Sequence, residues 1–174
     1  MASRNYLDFQ YFSLLIFVFL ATINYTRSHD EGEDYILCRL CGADLADAKS
    51  IVNHLSPYAF VIVNQTLFQR KGVEVQLLKN PLGIKFQSIT LSNSKCAPVH
   101  NWQQDFSWYP GYAWKPCICN HCRVHHGWLF EPIETVNLST KLPSKKGFFV
   151  LKLNSLLSEN FADSLIVVPK SYRN

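Results

Sequence analysis

No cysteine follows Cys122 in this 174-residue chain, no stretch concentrates lysine and arginine, and nothing repeats. Each absence excludes something. The first rules out a thiol nucleophile in the later part of the chain. The second removes the electrostatic footprint of a nucleic-acid binder: basic residues are scattered apart from the pairs Arg70-Lys71 and Lys145-Lys146, and a formal charge of +4 selects no partner. Low-complexity segments are missing too, and with 48% hydrophobic against 17% charged residues the chain should fold, as one domain plus extras. Long apolar runs are scarce. Residues 11–23 (YFSLLIFVFLATI) form one, and its 13 residues fall short of the ~20 that span a bilayer comfortably.

Such a run behind Arg4 suits the core of a signal peptide, so residues 1–28 are read as a removable leader and the mature product as secreted, with no membrane association. The following NYTRSHDEGEDY lacks a clean small-x-small cleavage site, which keeps an uncleaved anchor as the alternative. In the secretory lumen Asn64-Gln65-Thr66 and Asn137-Leu138-Ser139 become glycan acceptors by pattern, although so short a pattern often arises by chance.

What is present reads as mainly β. Residues 58–64 (YAFVIVN), 73–78, 84–91, 127–133 (GWLFEPI), 148–153 and 165–168 are β-branched or alternating runs, and Asn80-Pro81-Leu82-Gly83 is turn chemistry between two of them. Weak helical patterning is confined to 44–55 and 154–161. Residues 29–34 form a polar lead-in, and 141–146 (KLPSKK) a surface loop.

Two C-x-x-C pairs stand out, CRLC at 38–41 and CNHC at 119–122. One tight turn aims two thiolates at one cation, and two turns complete the tetrahedral sulfur site that zinc favours. Cys38, Cys41, Cys119 and Cys122 are therefore the expected ligands, clasping the two ends of a sheet. Disulfides are the competing reading in a secreted chain. A bridge inside C-x-x-C is strained and closes too short a loop to stabilise much, which favours the metal. His121 and His125 are either substitute ligands or groups around the site. Cys96 and Cys117 are left over, and whether they pair stays open.

Trp108, Trp114 and Trp128 follow at intervals that match neither a helical stripe nor one strand face. Pro110-Gly111 forces a reversal between the first two, so they can face each other across a bend. Any one of them alone would be core. Three beside a metal knuckle make a candidate box, suited to a cation over π-faces or to a flat neutral ring sandwiched by indoles and oriented by backbone hydrogen bonds.

The segment FSWYPGYAW at 106–114, followed five residues later by CNHC and then by GWLF at 127–130, resembles the CULT domain family, the thalidomide-binding region of cereblon. CRLC, Asn80-Pro81-x-Gly83 and FFVLKLNSLL fit the same pattern, so the resemblance covers 35–160 and leaves 161–174 as a tail. It implies a β-tent fold, two antiparallel sheets pinned by a four-cysteine zinc site, and a binding module, not an enzyme. It further implies a cage of Trp108, Trp114 and Trp128 with Phe130 at its base and Asn80 and Pro81 on its rim. Backbone groups of Phe106 and Trp108 would read a cyclic imide such as glutarimide, free or at a modified protein C-terminus. Phe106 stands where cereblon typically has histidine. A side-chain hydrogen bond is thereby lost and the backbone contacts remain, each worth on the order of 1 kcal/mol net. A Lon-like region and a segment to dock a cullin-ligase adaptor are both missing, so no ubiquitin-ligase role is expected.

Two other classes compete. A quaternary-ammonium cage would add a carboxylate, with Asp105 or Glu131 as candidates. A methionine-R-sulfoxide reductase shares the tent and the knuckles but needs the late cysteine that this chain lacks.

Overall fold

In the computed structural model, which describes residues 34–136 and 143–165, the β-branched and aromatic runs form two antiparallel sheets. The leader, the Asn137 sequon and residues 166–168 lie outside the described residues. β1 (Tyr35–Cys38), β2 (Asp44–Asp47) and β11 (Leu156–Ser158) make a small sheet in the order β11-β1-β2. The large sheet is built from β4 (Val61–Leu67), β5 (Arg70–Lys79), β6 (Lys85–Leu91), β10 (Phe148–Lys152), β9 (His125–Pro132), β8 (Tyr112–Ile118) and β7 (Ala97–Pro98), in that order, and β3 (Ile51–Val52) also pairs with β6. Two short helices, α1 (Ile133–Val136) and α2 (Glu159–Ser164), complete the described structure.

Alternation along the central strands divides the interior in two. On β10, Phe149 and Leu151 join one core while Phe148 and Val150 join another. On β9, Leu129 goes with the first and Trp128 and Phe130 with the second. The first core is shared with the small sheet through Ile36, Leu45 and Leu156. The second is aromatic: Trp108, Tyr109, Trp128, Phe130 and Phe148. Opposite faces of one sheet thus serve different ends, one for cohesion between sheets and one for the candidate site.

Gly127 explains how β9 and β10 come so close. A Cβ there would lie 2.0 Å from the Val150 carbonyl oxygen and 2.9 Å from Leu151 Cα, backbone atoms that cannot swing aside. We expect Gly127→Ala to destabilise the protein by about 3 kcal/mol, measured by denaturant unfolding. A change in stability within error would show that the two strands separate without cost.

Several expectations are corrected. Residues 44–55 are not helical: β2 pairs with β1, Asp47 caps a single 3-10 turn (Ala48–Ser50) by accepting from the Lys49 N–H, and β3 follows. Residues 154–161 are only partly helical, because Leu156–Ser158 is drawn into pairing with β1 before Ser158 caps α2. Leu165 is a turn residue that caps the end of that helix. Asp34, read as lead-in, is buried, since its carboxylate accepts from Ser158 Oγ at 2.6 Å and from the Asn160 N–H at 3.1 Å. These misreadings have one cause. Segments of three or four residues carry too little periodicity to register before their partners are known.

Candidate functional site

One hairpin carries most of the site. β8 and β9 pair with Trp114 opposite Phe130 and Pro116 opposite Trp128, so these side chains share the aromatic face. The connection between the two strands is the second C-x-x-C turn. Trp108 comes from the preceding loop and is fixed at both ends: its indole N–H donates to the Lys79 carbonyl at 2.9 Å, and its carbonyl accepts from Ser56 Oγ at 2.5 Å. The Trp114 indole N–H donates to the Asp105 carbonyl at 3.0 Å, while the Trp114 backbone bridges to Gln103. Two of the three indoles therefore spend their polar edge on the protein and are free to present faces.

Between the rings lies a cavity of about 260 Å³. Trp108, Trp114, Trp128 and Phe130 line it, together with Phe106, Asn80, Pro81 and Leu82. All seven residues expected at the ligand site are thus brought to one space. Trp108 and Trp128 meet edge to face, 4.7 Å between centroids at 79°, so the walls do not stack shut. Trp108 and Trp128 are in direct ring contact, and Trp114 lines the same cavity with them. Phe86 backs both rings of that pair, and His125 packs edge-on against Trp128 at 4.9 Å.

The rim is set by the backbone. Asn80 Oδ1 accepts from the Ile84 N–H and the Asn80 carbonyl from the Gly83 N–H, which holds Pro81 and Leu82 at the mouth, with Gly83 at φ 82° closing the turn. Phe106 sits in the left-handed region at φ 56° and is 74% exposed. Such a conformation costs on the order of 1 kcal/mol in a non-glycine residue. Among the described residues no hydrogen bond takes up the Phe106 carbonyl or the Trp108 N–H. A wider groove lined by Tyr58, Phe60, Pro110 and Ile133 continues from the mouth.

The four cysteines of the two C-x-x-C pairs converge. Their sulfurs all lie within 4.8 Å of one another, with Cys38 to Cys122 at 3.6 Å and Cys41 to Cys119 at 3.7 Å. Sulfurs about 2.3 Å from a central ion in a tetrahedron would be about 3.8 Å apart, so the set could hold a metal. The two turns are built alike. In each, the first cysteine donates its N–H to the carbonyl five residues on (Ala43, Val124), and its own carbonyl accepts the N–H four residues on (Gly42, Arg123). Gly42 at φ 74° and Arg123 at φ 65° adopt the same left-handed bend. The first turn joins β1 to β2 and the second joins β8 to β9, so the cluster staples the small sheet to the large one.

Burial pushes the Cys38 thiol up to about 12. Burial also opposes ionisation of Cys119, but N–H groups of Cys122 and His121 and the neighbouring sulfurs outweigh it and bring that thiol down to about 7. A cation would offset the cost of ionising Cys38. The histidines stay outside: His121 is not part of the cluster, and His125 Nε2 bonds the Gly127 carbonyl at 2.8 Å. Cys96 and Cys117, left open by the sequence, form a disulfide where the β7 segment meets β8.

Leu82 and Phe86 were missed. Leu82 was read only as turn, and Phe86 belongs to a strand whose alternation gave its period but not which face was aromatic. Glu131 and Asp105, the candidate carboxylates, do not line the cavity. Glu131 is buried elsewhere, accepting from Thr135 Oγ1 at 2.7 Å and the Ser144 N–H at 3.1 Å.

No protein-family model matches the chain. Curated cereblons do. Cereblon of Drosophila virilis is 47% identical over 38 residues, covering 22% of this chain and 6% of that protein, and cereblon of Drosophila mojavensis gives the same figures. Cereblon of Drosophila yakuba is 24% identical over 111 residues, 62% of this chain and 16% of that protein. The chain is cereblon-like. That cereblon-like relationship is carried by short stretches, and the chain matches only a small part of the length of these relatives.

Proposed function

We propose that this chain is a secreted, zinc-containing binding module whose aromatic cavity takes a small cyclic imide, free or at the modified C-terminus of a protein. The observation that carries the reading is the wall of three indoles beside an unspent backbone pair, the Trp108 N–H and the Phe106 carbonyl. An imide presents a flat ring with a carbonyl acceptor next to an N–H donor, the complement of that pair. A cavity of about 260 Å³ lies just below the roughly 300–1,000 Å³ of drug-sized sites, which suits a single ring. The groove at its mouth gives a path for a chain attached to that ring.

Zinc is the metal that the all-sulfur donor set favours, in a structural role because all four positions are filled by cysteine. The ammonium reading loses support because no carboxylate lines the cavity, and the reductase reading because no cysteine does. The Cys96–Cys117 bridge supports an oxidising compartment. Among the described residues no helix is long and apolar enough to cross a membrane.

The test combines metal analysis with a fluorescence titration of the purified protein. One zinc per chain and saturable quenching of tryptophan emission by glutarimide are expected, with no competition from a trimethylammonium compound. Quenching by the ammonium compound and not by the imide would transfer the cavity to the cation class.

A further inference from the structure

β4 ends the large sheet, so among the described residues one side of its backbone has no neighbouring strand. Val61, Ile62 and Val63 on it are 48%, 44% and 45% exposed, and Phe60 just before it is 58% exposed. Proteins blunt such edges with lysine, proline, inward charges or bulges. The strand VIVNQTL has no charge and no proline. Its one device is a bulge between Gln65 and Leu67, which leaves the Val61-to-Asn64 portion regular. An uncharged, β-branched, regular edge is a template for another strand.

Asn64 lies in the middle of this edge. It is exposed, and its side chain shares a strand face with Ile62 and Thr66. Its Nδ2 sits beside Gly72, 4.0 Å from where a Cβ would be, and makes no hydrogen bond among the described residues. Thr66 completes the acceptor triplet, and Gln65 between them is not proline.

We propose that Asn64 carries an N-linked oligosaccharide and that this glycan covers the β4 edge. The inference rests on the secretory part of the reading above and is independent of the imide. The co-reactant is a lipid-diphosphate-linked oligosaccharide. The Asn64 amide nitrogen bonds to C1 of the first sugar, the C1–O bond to the diphosphate breaks, the amide loses a proton, and the lipid diphosphate departs. A bulky hydrated sugar anchored there lies over Ile62 and obstructs an approaching strand.

The full chain, expressed in eukaryotic cells, is digested and its Asn64 peptide read by mass spectrometry with and without peptide N-glycosidase. Modification at Asn64 is expected, lost in Asn64→Gln and Thr66→Ala and kept in Thr66→Ser. By sedimentation, the glycosylated protein should be monomeric and the enzymatically stripped protein self-associating, with Ile62→Lys in the Asn64→Gln background restoring the monomer. An unmodified Asn64 in protein recovered from the medium overturns the site and leaves secretion standing. If the chain's own leader fails to deliver it, that counts against secretion alone, and a borrowed leader then takes the chain to the lumen, where the same peptide supports or overturns the site. Stripped protein that stays monomeric at the same concentrations overturns the shielding role.

Discussion

Trp114→Ala is expected to abolish imide binding while leaving the chain folded. The ring is half-buried on the cavity wall, and its backbone pairs with Phe130 on one side and Gln103 on the other through main-chain atoms that alanine retains. Truncation therefore removes a wall without opening the hairpin. Loss of a central aromatic contact in a binding site typically costs about 2–4 kcal/mol, roughly 30- to 1,000-fold in affinity, enough to take a micromolar ligand out of calorimetric range. Trp128→Ala is a poorer choice, because that ring is buried against Trp108, Phe86 and His125 and its loss would loosen the second core. Undiminished heat from Trp114→Ala, with circular dichroism unchanged, would place the ligand elsewhere.

Cys119→Ser is expected to release the metal and unpin the small sheet. Apparent binding free energies of structural zinc reach about 10–16 kcal/mol, so loss of one ligand should lower stability by several kcal/mol and Tm by more than about 10 °C. Because the thiols lose protons when they bind a cation, acid works against the site: affinity should fall as pH drops, and a colorimetric zinc indicator should record release on acidification. Chelation should reproduce the variant. A Cys119→Ser protein with full metal content and unchanged Tm would show that the sulfurs cluster without holding an ion.

How much of this was legible beforehand differs from residue to residue. The cysteines were readable because ligand spacing is local: each pair occupies one turn, and only the meeting of the two turns is long-range. The tryptophans were readable as a group, but their mutual geometry was not. Trp108 and Trp128 are 20 positions apart and meet because Lys79, Ser56 and the β8–β9 register hold them there. β5 and β10 carried clear apolar signals over five residues or more. The small sheet did not, since strands such as Tyr35–Cys38 become strands through partners 7 to 122 residues away, and Asp44–Asp47 looked helical for lack of any visible partner. Leu82 and Phe86 are ordinary residues whose roles come from position alone.

The β8–β9 hairpin holds sulfur ligands at its tip and indole walls along its arms. Since neighbouring side chains on a strand point opposite ways, one residue inserted between Cys122 and Trp128 would turn Trp128 out of the cavity and Leu129 into it. Chain length in this interval is thus fixed by parity. Gly127 aside, natural variants of this molecule should tolerate exchanges of residue type there well before they tolerate a single-residue insertion or deletion.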